Sequence, residues 1–74
     1  MTLEVRLFAY LRQGRDKKVY VDVDRNTTIQ DVLNILDIDA KDATLLLING
    51  MSAHLNSTFS EGDYLSLFPP VGGG

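Results

Sequence analysis

Thr27-Thr28-Ile29-Gln30-Asp31-Val32-Leu33-Asn34-Ile35-Leu36 reads as the one helix of a 74-residue chain. Ile29, Val32, Leu33 and Leu36 fall at i, i+3, i+4 and i+7, an apolar stripe that can lie on a sheet. Two capping boxes compete for its start, Thr27 with Gln30 and Thr28 with Asp31, one residue apart. Asp37-Ile38-Asp39-Ala40-Lys41-Asp42 ends it in an acidic connection.

Strand patterns flank this helix on both sides. Leu3-Glu4-Val5-Arg6-Leu7-Phe8-Ala9 alternates, with Leu3, Val5 and Leu7 inward and Glu4, Arg6 and Phe8 outward. Residues 12–18 hold four of the seven basic residues, Arg12, Arg15, Lys17 and Lys18, and read as a mobile, solvated loop. Lys18–Val23 is a second strand with Val19, Val21 and Val23 inward. After the helix, Leu45-Leu46-Leu47-Ile48 is apolar on both faces, which predicts a central strand. Asn49-Gly50 then marks a turn, Met51–Leu55 a brief edge strand, and residues 56–60 an irregular stretch. Glu61-Gly62-Asp63 leads into a last strand, Tyr64-Leu65-Ser66-Leu67-Phe68, with Leu65 and Leu67 inward.

A chain of this length forms one domain with a small core. It has no cysteine and one histidine, His54, which excludes disulfides, thiol catalysis and a zinc cluster. The formal charge of −3 disfavours nucleic acid or an anionic membrane as partner. The longest apolar run has four residues, too short to span a bilayer, and Met1 leads into a strand without a secretory signal. A soluble, cytoplasmic domain is expected. His54 has no second ligand or base beside it, and Asp37, Asp39 and Asp42 lack the glycine and closing glutamate of a calcium loop. No metal site is expected.

The order ββαβ(β)β, one helix on a mixed sheet of four to five strands, is the α+β architecture of the β-grasp, the ubiquitin-like fold. Residues 1–68 form the domain and residues 69–74 an extended carboxyl-terminal tail. In Phe68-Pro69-Pro70-Val71-Gly72-Gly73-Gly74, the prolines end strand pairing and favour an extended exit. Residues 69–74 reach about 20 Å at ~3.3 Å per residue. The glycines lack Cβ atoms, so the tip fits a slot too narrow for any side chain. Its reactive group is the Gly74 α-carboxylate. A carboxylate is a poor electrophile, and becoming an acyl-adenylate makes it reactive. Sulfur would then give a thiocarboxylate and an amine an amide.

The chain resembles the MoaD/ThiS family of sulfur carriers, on the MoaD side of it. The residues that carry the resemblance are Leu7-Phe8-Ala9-Tyr10-Leu11-Arg12, Leu47-Ile48-Asn49-Gly50, Glu61-Gly62-Asp63 and the tail from Phe68 to Gly74. The Gly73-Gly74 pair matches the family motif directly, whereas Gly72 departs from it slightly. Pro69-Pro70 looks more like the molybdopterin branch than the thiamine branch. The resemblance implies an adenylating enzyme similar to ubiquitin-activating enzymes, which uses ATP to join AMP to Gly74. It also implies a sulfur donor, and a MoaE-like large synthase subunit whose active site receives Val71, Gly72, Gly73 and Gly74 behind Pro70. The sulfur would form the dithiolene of molybdopterin or tungstopterin. This chain would be a non-catalytic carrier subunit with no bound cofactor. Carriers for thiamine synthesis or tRNA thiolation and ubiquitin-like modifiers share the same tail chemistry. A β-grasp recognition module would bind without it.

Strand parity adds a docking surface. In a β-grasp the first and last strands are parallel neighbours, which brings Phe8 and Phe68 together at the root of the tail. With Ile48 facing the core, Leu47 faces the same outer side. Phe8, Leu47 and Phe68 are therefore expected to form an exposed apolar patch that docks the partners.

Overall fold

A computed structural model describes residues 1–70. Its strands are β1 (Thr2–Leu7), β2 (Lys18–Asp22), β3 (Leu45–Ile48), β4 (Met51–Ser52) and β5 (Tyr64–Phe68), with one α-helix, α1 (Ile29–Ile35). The sheet order is β2-β1-β5-β3-β4. β1 runs parallel to β5, and the other pairs are antiparallel. This is the β-grasp, with α1 lying across one face.

The alternation of apolar residues positions the core. Leu3, Val5 and Leu7 of β1 and Leu65 and Leu67 of β5 meet Ile29, Val32 and Leu33 of α1, all with at most 2% exposure. Truncating a wholly buried leucine such as Leu33 to alanine costs roughly 2–5 kcal/mol. Leu11, Ile38, Ala43 and Phe59 also enter this core, although they lie in segments that read as connections.

Local chemistry explains why. Thr28 and Asp31 close the capping box, with Asp31 N–H donating to Thr28 Oγ1 at 3.2 Å and Thr28 N–H donating to Asp31 Oδ2 at 3.0 Å. Thr27 instead serves the preceding turn through Asp24. The first amides of α1, Ile29 and Gln30, donate to the carbonyls of Ser57 and Leu55. Residues 55–58 thus cover the helix start and carry Phe59 into the core. At the other end, Ile38 N–H donates to Leu33 O at 2.9 Å and Asp37 N–H to Asn34 O at 3.2 Å. With Asp37 at φ +58°, this is the left-handed helix stop whose next residue is apolar and buried.

Three expectations need correction. β3 is not the central strand; β5 is, and β3 has only two-residue β4 outside it. Its outer side chains are apolar without being covered, and Leu45 is 44% exposed. The edge strand expected over Met51–Leu55 ends at Ser52, because His54–Ser57 closes a turn held by His54 N–H donating to Ser57 Oγ. The basic 12–18 segment is not a free loop. Ala9–Arg12 forms a 3-10 turn that buries Leu11. Arg15 donates from its guanidinium to the carbonyls of Leu11, Gln13, Leu36 and Asp37.

Candidate functional site: an aromatic patch at the root of the tail

Register builds the site. Leu7 is the Cα partner of Leu67 in the parallel β1–β5 pair, and Phe8 N–H donates to Leu67 O at 3.2 Å. Phe8 and Phe68, each one residue further on, turn to the open face. Their rings stack with centroids 4.2 Å apart and planes 10° apart. Both are half-buried. Stacked aromatic pairs contribute about 0.5–1.5 kcal/mol beyond the area they bury.

Leu47 shares this face, opposite Ser66, but Leu45 is the residue directly opposite Phe68. Leu45 has the same parity as Leu47 in Leu45-Leu46-Leu47-Ile48, so the alternation that places Leu47 also signals Leu45. Arg12 borders this face as well, which strand parity does not signal. Its Nε donates to Leu7 O at 2.8 Å and its guanidinium carbon lies 5.5 Å from the centre of the Phe8 ring. Along the same face, Arg6 pairs with Glu4 and lies over the Tyr64 ring at 3.9 Å. The hydrogen bond from Arg6 holds the Glu4 carboxyl below its usual range.

β5 ends at Phe68, beside these rings, and Thr44 N–H donates to its carbonyl at 3.0 Å. Pro69 is half-buried and Pro70 exposed. The expected tail-insertion residues Val71, Gly72 and Gly73, and the carrier position Gly74, lie outside the described residues. Among the described residues, no group of three histidine, cysteine, aspartate or glutamate side chains could hold a metal ion. Among the described residues, no helix is long and apolar enough to cross a membrane. Asp42 accepts a hydrogen bond from the Tyr10 hydroxyl, and His54 sits in its turn.

Fold and site together define a ubiquitin-like β-grasp protein of the sulfur-carrier and small-modifier class. The chain belongs to the ThiS family, whose pattern matches residues 5–74. It is 36% identical over 87 aligned positions to small archaeal modifier protein 1 of Haloferax volcanii, spanning 97% of this chain and all of that one. Small archaeal modifier protein 3 of the same organism is 35% identical over 92 positions, with both chains covered fully. The crystal structure of the first superposes with a TM-score of 0.76 at 32% identity, covering 95% of this chain and 98% of that one. A complex of subunits 1 and 2 of molybdopterin-converting factor from Helicobacter pylori contains a chain matching at TM-score 0.64 and 26% identity, each chain covered fully.

Proposed function

We propose that this protein is a sulfur carrier whose Gly74 carboxylate is converted to a thiocarboxylate that delivers the sulfur. The observation that carries the reading is the position of Pro69-Pro70, where β5 leaves the sheet beside the stacked Phe8 and Phe68 rings. A partner docked on Phe8, Leu45, Leu47 and Phe68 stands where the tail departs, so one binding event delivers the glycines to its active site.

The Gly74 carboxylate attacks the α-phosphorus of ATP held by an activating enzyme, and pyrophosphate leaves. Hydrosulfide from a sulfur donor then adds to the acyl carbon and AMP departs with the bonding pair, leaving a thiocarboxylate. A glycine tip suits both steps, because no Cβ obstructs approach to the carbonyl. The recipient that best fits the Pro-Pro exit is a pterin precursor of molybdopterin or tungstopterin on a large synthase subunit. The two-subunit assembly of the Helicobacter pylori relative supports such a partner. Thiamine synthesis or tRNA thiolation would use the same thiocarboxylate.

A second reading, attachment of Gly74 to protein lysines, is favoured by the two Haloferax relatives, both modifier proteins by name. It uses the same adenylate, with a lysine amine attacking in place of sulfur.

The test is the mass of the carboxyl-terminal peptide after incubation with ATP, an activating enzyme and sulfide. Replacement of oxygen by sulfur is nearly isobaric with methionine oxidation, and Met1 and Met51 are both exposed, so the gain must be located in that peptide. An ATP-dependent gain there supports the carrier, and Gly74–lysine branched peptides from cells support the modifier. Partner binding that persists without Gly73-Gly74, with neither product formed, would leave a recognition module and overturn both.

A further inference from the structure

We propose that β2 is a self-pairing edge through which two copies of this chain join into one continuous sheet. Among the described residues, β2 has a neighbour only on the β1 side. Leu7 N–H donates to Lys17 O and Val23 N–H to Met1 O. Antiparallel alternation therefore turns the main-chain groups of Val19 and Val21 toward β1, and those of Lys18, Tyr20 and Asp22 to the open edge. Such an edge is a template for another strand.

The sequence of that edge is complementary to itself. Antiparallel pairing about a dyad at Tyr20 sets Lys18 opposite Asp22 of the second copy, Asp22 opposite its Lys18, and Tyr20 opposite Tyr20. These are the residues whose N–H and C=O groups point outward, so hydrogen-bonding and charge registers coincide. Tyr20 is 63% exposed, and Lys18 and Asp22 are exposed. On the helix side, Val19 falls opposite Val21 of the copy. There, Val19, Ile35 and Leu36 line a groove along the edge, with Ile35 59% exposed. The dyad puts both helices on one face, so a groove flanks the new strand pair on each side of the axis. One short strand pair covers far less than the ~1,200 Å² of a stable complex, so the association is weak and reversible. It leaves Phe68 and the tail root of each copy open on β5, two strands away, and makes the assembly bivalent toward its partners.

Sedimentation and concentration-dependent amide shifts of the full chain, up to about 1 mM, test this. Self-association is expected, with shifts concentrated at Lys18, Tyr20 and Asp22. Tyr20→Pro removes an edge N–H but no bond to β1, and should abolish association while circular dichroism shows the fold intact. Lys18→Asp and Asp22→Lys each set like charges opposite one another and should weaken association roughly five- to thirty-fold. Mixing these two variants restores both opposite-charge pairs, and with them association. Phe68→Ala should associate like the parent. The proposal fails if the chain stays monomeric throughout, if the mixture associates no better than its components, or if Tyr20→Pro has no effect. Loss on deleting residues 71–74 would assign the edge to a neighbour's tail, and loss in Phe68→Ala would move the contact to the aromatic patch.

Discussion

The rings of Phe8 and Phe68 stack 4.2 Å apart although they come from opposite ends of the chain. The parallel β1–β5 register, with Leu7 beside Leu67, brings them there. The tail therefore leaves the sheet from an apolar platform that two strands must build together. In the proposed carrier role, this platform would couple partner recognition to delivery of the tail.

Truncating either ring should separate binding from folding. Phe68→Ala is expected to lower stability by about 1 kcal/mol, a fall in Tm of roughly 4–8 °C for a domain of this size. Binding to the proposed activating enzyme should fall at least about tenfold if Phe68 is a central aromatic anchor. A double-mutant cycle with Phe8→Ala should show coupling of about 1 kcal/mol. Titration calorimetry and thermal melts measure both. A collapse of the fold in Phe68→Ala would make it a core residue.

Arg15 ties the 3-10 turn to the end of α1. The guanidinium reaches Leu36 O at 3.2 Å and Asp37 O at 3.1 Å, where the helix dipole favours a cation. Arg15→Ala should cost about 1–2 kcal/mol in urea unfolding. Lysine should recover only part of it, because an ammonium lacks the planar fork that spans several carbonyls. Full recovery by Arg15→Lys would show that charge alone matters.

Ala9 occupies a left-handed conformation at φ +53°, between Phe8 and the buried Leu11. This turn swings the chain off β1 and lets Arg12 return over the Phe8 ring. Ala9→Gly should be neutral or slightly stabilising, whereas Ala9→Val should cost more than about 1 kcal/mol. Equal melting temperatures for the two variants would contradict backbone strain here.

Stability should fall in acid through two carboxylates, exposed Asp24 and half-buried Glu4. Asp24 is held below its usual range by hydrogen bonds from the Asn26 backbone and the Thr27 hydroxyl, and Glu4 by the bond from Arg6. A carboxyl lowered on folding stabilises the native state above its unfolded pKa. That contribution disappears as pH falls from about 4 through the lower folded value. Unfolding followed from about pH 7 down to about pH 2 should show the loss. Asp24→Asn and Glu4→Gln should each flatten the acid limb, and an unchanged slope in the double variant would refute this origin.

Much of the fold was legible because binary patterning is local. The alternation in Leu3–Leu7 and Tyr64–Phe68 and the helical stripe at Ile29, Val32, Leu33 and Leu36 each follow from neighbouring residues. Asn49-Gly50 is equally local, and both residues have positive φ, as a tight hairpin turn requires. The outward pairing of Phe8 with Phe68 also followed, because parity and one parallel pair determine it. What stayed hidden depends on distant partners. Phe59 is buried because residues 55–58 satisfy the first amides of α1. Ile38 is buried because Asp37 takes the left-handed stop. Neither bond has a signature near the residue it positions.

The amino-acid order by itself determined which residues alternate, where the helix lies and which chain segment leaves the sheet, since these follow from the periodicities of strand and helix. Tertiary structure alone decided that Leu45 faces Phe68, that Arg12 edges the patch, that Arg15 anchors the basic segment, and that β2 lies at the outer edge of the sheet the described residues form. Those are relations between segments far apart in the chain. Sheet order and main-chain hydrogen bonding set them, and residue type constrains both only weakly.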